Sequence, residues 1–191
     1  MRRIKTIGHS NHPIERFLDL LEGGGVDVVV DVRSVPYSRR FPQFGRERLT
    51  QSLASRGILY RYEGGALGGK PTSGEDYEAL AAMPAFADAL SRLIADAAAT
   101  TLCLMCAEKD PLDCHRTVLV SRRLAERGVA IDHLLADGRQ ASHDTIEDTL
   151  LARSGDGVPD LFTIAETRGV RLRRAYTHRE QAMKGGQGRR K

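Results

Sequence analysis

The sequence predicts an α/β fold: a three-layer, Rossmann-like domain on a mainly parallel sheet of about five strands. Three observations carry this expectation. Short apolar runs alternate with amphipathic stretches of helical period over most of the chain. The run Val26 to Val32 is almost continuously apolar apart from Asp27 and Asp31, as a strand covered on both faces must be. Each run also ends in a polar cluster, whereas the junctions leading into the runs are plain turns. Strands separated by helices need crossovers, which are right-handed and give parallel pairing.

Ile4 to Gly8 reads as the first strand. Asn11 and Pro13 then start a helix in which Ile14, Phe17, Leu18 and Leu21 recur at helical spacing, and Gly23-Gly24-Gly25 ends it. After the second strand, a polar loop from Arg33 to Gly45 leads to a helix with Leu49 and Leu53 on one face, stopped at Gly57. Ile58 to Tyr62 is the third strand, and Glu63 to Gly74 a glycine-rich loop. Pro84 opens a long helix carrying Phe86, Leu90, Leu93, Ile94 and Ala97, and the fourth strand is Thr101 to Cys106. Asp113 is expected to cap a helix through Arg127, with Val129 to Leu135 as the fifth strand. A helix from Asp144 to about Arg153 follows. The expected organisation is a single α/β domain over 1–153, a C-terminal extension over 154–184 with a docking helix from Phe162 to Tyr176, and a disordered basic tail over 185–191.

At 191 residues the chain has the length of one domain with a full core. With 41% hydrophobic and 28% charged residues, and no apolar run near the roughly 18 residues that cross a bilayer, membrane insertion is not expected. The first residues carry charge but lack the 7 to 15 apolar residues, roughly, of a secretory signal, so the expected location is cytoplasmic. Three cysteines in such a compartment do not suggest a disulfide framework. The net charge of +4 divides unevenly: residues 1–150 hold 19 Lys and Arg against 21 Asp and Glu, whereas 151–191 hold 10 against 4. The excess belongs to the tail, which weakens it as a nucleic-acid footprint.

In a parallel sheet the polar clusters Gly8-His9-Ser10, Asp31-Val32-Arg33, Glu63-Gly64-Gly65 and Cys106-Ala107-Glu108 share the carboxyl edge, where ligands bind. Cys103 and Cys106 match a CxxC spacing, but residues three apart on a strand point to opposite faces, so Cys103 is expected in the core and Cys106 at the cleft. Cys114 would sit in the first turn of a helix beside His115 and Arg116, where dipole and cations favour a thiolate. Cys106, Cys114, His115 and His9 could in principle bind zinc, but no standard spacing supports it and adjacent Cys-His ligands are awkward, so no cofactor is expected. Arg116, with Arg33 from the neighbouring strand end, could hold a phosphate or carboxylate; the bland alternative is that both arginines pair with Asp31 and Glu108 and hold the loops. The loop Arg33 to Arg46 interleaves cations with Tyr37, Phe41 and Phe44, a plausible stacking surface for a base. His9 could act as a general base near neutral pH.

Gly8-His9-Ser10, Asp31-Val32-Arg33 with Pro36 and Ser38, Leu67-Gly68-Gly69, and Cys106-Ala107-Glu108 through Cys114-His115-Arg116 form a set and order that resembles the domain of unknown function 488 family. The resemblance covers about residues 4–135, and Leu161-Phe162 is similar to the family's ending. It implies a cytoplasmic α/β protein of bacterial or archaeal type and brings no established reaction. A fainter similarity links the Asp-Val-Arg strand end and the cysteine loop to rhodanese and phosphatase folds, although Cys106 precedes Arg116 by ten positions.

The expected function is therefore a hydrolase or group transferase on a phosphorylated or nucleotide-like anionic small molecule. His9, Asp31, Glu108 and Cys114 are the candidates for acid, base or nucleophile, and Ser10, Arg33, Ser38, Cys106, His115 and Arg116 for ligand binding. The alternatives are a non-catalytic nucleic-acid-binding accessory protein and, more weakly, rhodanese-like sulfur transfer. The oligomeric state is left open.

Overall fold

The apolar runs form strands close to their expected positions: β1 (Arg3–Gly8), β2 (Val28–Asp31), β3 (Leu59–Tyr62), β4 (Leu102–Cys106) and β5 (Ala130–Leu134). They belong to a computed structural model that describes residues 2–70, 74–155 and 166–187. All five pair in parallel, in the order β3-β2-β4-β1-β5. A sixth strand, β6 (Gln140–Ser142), raises the expected count of about five and returns antiparallel along β5 through a turn in which Gly138 has φ 93°.

The helices are α1 (Ile14–Gly23), α2 (Arg46–Ala54), α3 (Gly64–Leu67), α4 (Tyr77–Ala82), α5 (Pro84–Asp96), α6 (Arg122–Ala125), α7 (His143–Ser154) and α8 (Arg168–Gln187). The chain moves outward from β1 to β3 through α1 and α2, then returns to β4 and β5 through α3 to α6. Right-handed crossovers put opposite directions of travel on opposite faces, so the sheet is covered twice. Phe17, Leu21, Leu49 and Leu53 accordingly pack on Ile7, Val29, Cys103 and Met105. On the other face Phe86, Leu90, Leu93 and Val118 pack on Ile4, Val30, Leu102 and Leu104. The expected three-layer, Rossmann-like architecture is the one observed. Cys103 and Cys106 fall in different layers, so the CxxC is a consequence of the pleat.

β1 and β4 are neighbours whose chains leave for opposite faces. A crevice opens where they diverge, at their carboxyl ends.

The segment after β4 departs most from expectation. Asp113 does not cap a helix; Asp110 does the first capping, its Oδ1 accepting from the Leu112 amide at 2.9 Å at the start of the 3-10 turn Pro111–Asp113. Cys114 is extended, with φ −136° and ψ 137°, and its carbonyl accepts from the amides of Thr117 and Val118. Its Sγ also lies 3.5 Å from the Arg116 amide, so the cysteine itself takes the place of the cap. The following residues, Arg116–Ser121, wind as a π-helix before α6, and the Ser121 hydroxyl donates to the Arg116 carbonyl at 2.7 Å. Buried β-branched Thr117, Val118 and Val120 crowd a tight α turn, which is consistent with the wider one.

At the C-terminal end, α8 starts later than the expected Phe162 and continues past Tyr176 and Gly185. Leu161-Phe162 and residues 188–191 lie outside the described residues. Ala175 and Tyr176 dock α8 on the second core layer. Among the described residues no helix is long and apolar enough to cross a membrane.

Candidate functional site

A cleft of about 630 Å³ opens at the divergence of β1 and β4. Eight of the ten residues singled out in the sequence line it: His9, Ser10, Arg33, Ser38, Cys106, Glu108, Cys114 and His115. Asp31 and Arg116 do not. Sequence reasoning missed Tyr77, Lys70, Lys109 and Met183, which also contribute to the wall. Tyr77 and Met183 come from α4 and α8, whose sequences carry no polar cluster at a strand end.

The edge of the cleft is built by close backbone approach. After Gly8, which pairs with Cys106, the amides of His9 and Ser10 bond the carbonyls of Cys106 and Ala107 at 2.8 and 2.9 Å, so the β1–β4 ladder runs on into the site. A Cβ on Gly8 would lie 1.8 Å from the Glu108 carbonyl oxygen, which is why glycine stands there. Ser10 then adopts φ 49°, a left-handed conformation rare outside glycine and one that collects at functional sites.

Asp31 is fully buried and fully committed. Its Oδ1 accepts from the Arg33 amide at 3.0 Å and from Nε at 2.9 Å, and its Oδ2 from Nη2 at 2.7 Å and from the Tyr60 hydroxyl at 2.8 Å. It positions Arg33 and does not reach the cleft, which removes it from the acid, base and nucleophile candidates. Arg33 Nη1 lies 3.3 Å from His9 Nε2, while His9 Nδ1 bonds the Ser10 carbonyl at 2.9 Å. A guanidinium only donates, so the proton of the imidazole is on Nδ1 and the ring is neutral. Burial pulls the His9 pKa down to about 4, and its ring stacks on buried Phe44 at 4.3 Å. His9 is thus a spacer between Arg33 and the core at neutral pH, where it carries little basicity.

Arg116 departs from the expected anion-holding role for a similar reason. It is 1% exposed, and its Nη1 donates to the Glu108 carbonyl at 2.6 Å and its Nη2 to that of Lys109 at 3.5 Å. The guanidinium fastens the 107–113 loop from beneath. The bland alternative holds for Arg33, which pairs with Asp31, and in altered form for Arg116, which uses carbonyls in place of the Glu108 carboxylate.

The reactive groups converge on the opposite wall. Cys106 Sγ lies 3.6 Å from His115 Nδ1, and with Cys114 Sγ the three donor atoms fall within 4.8 Å of one another. His115 Nε2 donates to the Val32 carbonyl at 2.8 Å, which turns Nδ1 toward the thiols. A Cβ on Gly69 would meet the His115 side chain at 2.4 Å, so the glycine-rich loop closes directly on the ring. The hydrogen bond to Cys114, with burial added, pushes the Cys106 thiol well up. Burial pushes Cys114 up too, but hydrogen bonds to Cys106 and His115 and the nearby Arg116 charge outweigh it and hold this thiol well below its ordinary range. For His115, burial is outweighed by the bond to Cys114, and its pKa is raised. Cys103, by contrast, is pushed up to about 12 by burial in the core. Two thiols and an imidazole with unequal proton affinities can attack an electrophile or ligate a soft metal ion.

The domain of unknown function DUF488 matches residues 13–123, more than half of the chain. The chain belongs to the DUF488 family. No curated protein and no solved structure matches it. The DUF488 match begins at Pro13, just before α1, and ends at Arg123 within α6, so it spans the Asp31–Arg33 pair and the whole Cys106–Arg116 segment. In this DUF488 member the cleft also takes Met183 from α8, beyond the matched residues.

Proposed function

We propose that the chain is an enzyme, a hydrolase or group transferase, that takes an anionic, nucleotide-like small molecule in the carboxyl-edge cleft. The observation that carries this reading is the convergence of Cys106, Cys114 and His115 on one wall of a cleft whose rim supplies Arg40, Lys70 and Lys109 against Glu108 and Asp113. A volume of about 630 Å³ lies within the usual range of small-ligand sites, roughly 300 to 1,000 Å³. Tyr37 and Phe41 add aromatic surface to the same rim, and the Arg40 guanidinium lies 5.4 Å over the Phe41 ring. Cations and aromatic faces together suit a phosphate joined to a base. Cys114 and His115 are the best-placed reacting groups.

The nucleic-acid reading draws support from exposed Val35 and Tyr37 beside Arg39 and Arg40. Part of the C-terminal charge gives it less support, because among the described residues Arg153, Arg168, Arg174, Arg179 and Lys184 pair with carboxylates. Rhodanese-like sulfur transfer would need an arginine turned toward the bound anion, whereas Arg116 is turned onto backbone carbonyls.

The test is a thermal-shift series with nucleoside mono-, di- and triphosphates, followed by chromatography for released phosphate or base. Binding should raise Tm, Arg40→Ala and Lys70→Ala should shrink that rise, and Cys114→Ser should keep the binding while losing turnover. If no nucleotide or inorganic phosphate shifts Tm, and duplex or single-stranded nucleic acid binds with steep salt dependence lost in Arg39→Ala and Arg40→Ala, the accessory reading replaces this one.

A further inference from the structure

We propose that Cys106, Cys114 and His115 form a three-ligand site for a thiophilic divalent cation of the zinc class, with the fourth position open to the cleft. The inference deepens the proposed function and rests on it, since it turns Cys114 and His115 from groups that react directly into ligands of an ion that would supply the chemistry.

The first support is geometric. Bond lengths of about 2.3 Å to sulfur and 2.0 to 2.1 Å to nitrogen, at the tetrahedral angle, separate the two donors by about 3.6 Å. Cys106 Sγ and His115 Nδ1 stand 3.6 Å apart, and the second sulfur lies within 4.8 Å of both. The donors also come from two regular elements, a strand end and a helix start, so little rearrangement is needed to close them on an ion.

The second support lies around the donors. A metal-bound imidazole typically donates its other N–H to a carbonyl or carboxylate, which fixes the ring and the tautomer. His115 Nε2 does so to the Val32 carbonyl at 2.8 Å, and Gly69 lets the neighbouring loop press on the same ring. The Arg116 amide, 3.5 Å from Cys114 Sγ, gives that sulfur a comparable donor.

Donor type and charge narrow the ion. Among the described residues no carboxylate joins the group, so magnesium, calcium and manganese lack the oxygen ligands they prefer. Two thiolates neutralise a divalent cation. Arg116 is buried nearby with its guanidinium on backbone carbonyls, which adds a positive charge beside the site. An anion at the fourth position balances it: a hydroxide, or an oxygen of the substrate. Three protein ligands and one open position is the usual form of a catalytic zinc site, as distinct from a closed structural one.

The experiment is a titration of the full chain, reduced and freed of metal, with Co2+ and then Zn2+. The expected result is one Co2+ per chain, with thiolate-to-cobalt charge transfer in the near ultraviolet and the intense visible bands of a tetrahedral ion, all lost on adding Zn2+. Cys106→Ser and Cys114→Ser should each weaken the charge transfer, and His115→Gln should lose the tight 1:1 stoichiometry. Circular dichroism identifies any variant that fails to fold, in which case the spectrum of the unaltered chain decides alone. A folded, reduced chain that gives no charge transfer overturns the site, as do serine variants with an unchanged spectrum. Nucleotide thermal shifts on the metal-free chain separate the two readings: a shift without cobalt binding removes the metal and leaves the cleft, whereas cobalt binding without any nucleotide shift removes the substrate class and leaves the metal.

Discussion

Replacing Asp31 with alanine tests whether this carboxylate positions Arg33 or acts on a substrate. The substitution removes the acceptor of four hydrogen bonds at 2.7 to 3.0 Å, three from Arg33 and one from Tyr60, in a place where Asp31 is fully buried and Arg33 nearly so. Arg33 keeps only the Phe44 carbonyl at 2.9 Å and the contact with His9. Breaking a buried pair by removing one partner costs roughly 3 to 5 kcal/mol, because the remaining charge stays buried without compensation. Asp31→Ala should therefore lower the unfolding free energy by about that amount in urea titrations followed by circular dichroism. Adding Arg33→Met should recover about 2 kcal/mol of the loss, since removing both partners spares the orphaned charge. A loss below about 1 kcal/mol in the single variant, accompanied by abolished turnover on intact nucleotide binding, would refute the positioning role and return Asp31 to the chemistry.

Two further outcomes follow from the same geometry. Gly8→Ala places a methyl group 1.8 Å from the Glu108 carbonyl, so the β1–β4 edge must part. The expected cost is about 3 kcal/mol or more, with loss of ligand binding, and a urea midpoint close to that of the parent would contradict the close approach. Stability should also fall as the solution is acidified from pH 6.5 toward 4. Burial holds His9 and His143 neutral in the folded chain, each with its pKa lowered to about 4, while the unfolded chain takes up their protons near pH 6.5. Above that value neither state binds the protons and the difference vanishes; by pH 5 each histidine costs about 2 kcal/mol. Unfolding at pH 7.5 and pH 5 measures the drop, and His143→Gln should remove part of it; equal stability at the two values would count against neutral burial.

The sequence speaks plainly where one local rule dominates and poorly where distant segments must meet. β2 and β4 were readable because buried parallel strands need continuous apolar runs, and the carboxyl-edge site because polar clusters followed each of them. β6 has only Gln140, Ala141 and Ser142, too short for alternation to register, yet Asp137-Gly138 before it was an available hairpin signal. The expectation that Asp113 caps a helix used a sound propensity in the wrong place, because Pro111 had already committed Asp110 to that job. The roles of Asp31, His9 and Arg116 were not readable, since each is decided by which buried partner the side chain meets. The meeting of Cys106 with Cys114 and His115 depends on the turn Pro111–Asp113 folding the chain back, which spacing alone does not reveal.

That turn explains why the C-terminal helix belongs to the site. The segment carrying Cys114 is held by partners from beyond the DUF488 match: Arg153 of α7 pairs with Asp110 at 2.9 Å, and Arg179 of α8 donates to the Leu112 carbonyl at 2.8 Å and pairs with Asp113. α8 also braces the facing wall, because Glu180 accepts from the Tyr77 amide at 2.9 Å and Met183 lines the cleft. Two of the basic residues after position 150, Arg153 and Arg179, thus act as clamps. They fix the loop that delivers Cys114 to Cys106, and the cations left facing the cleft come from the loops that follow β2, β3 and β4. The arginines that clamp this loop and the cations that face the cleft therefore come from different parts of the chain.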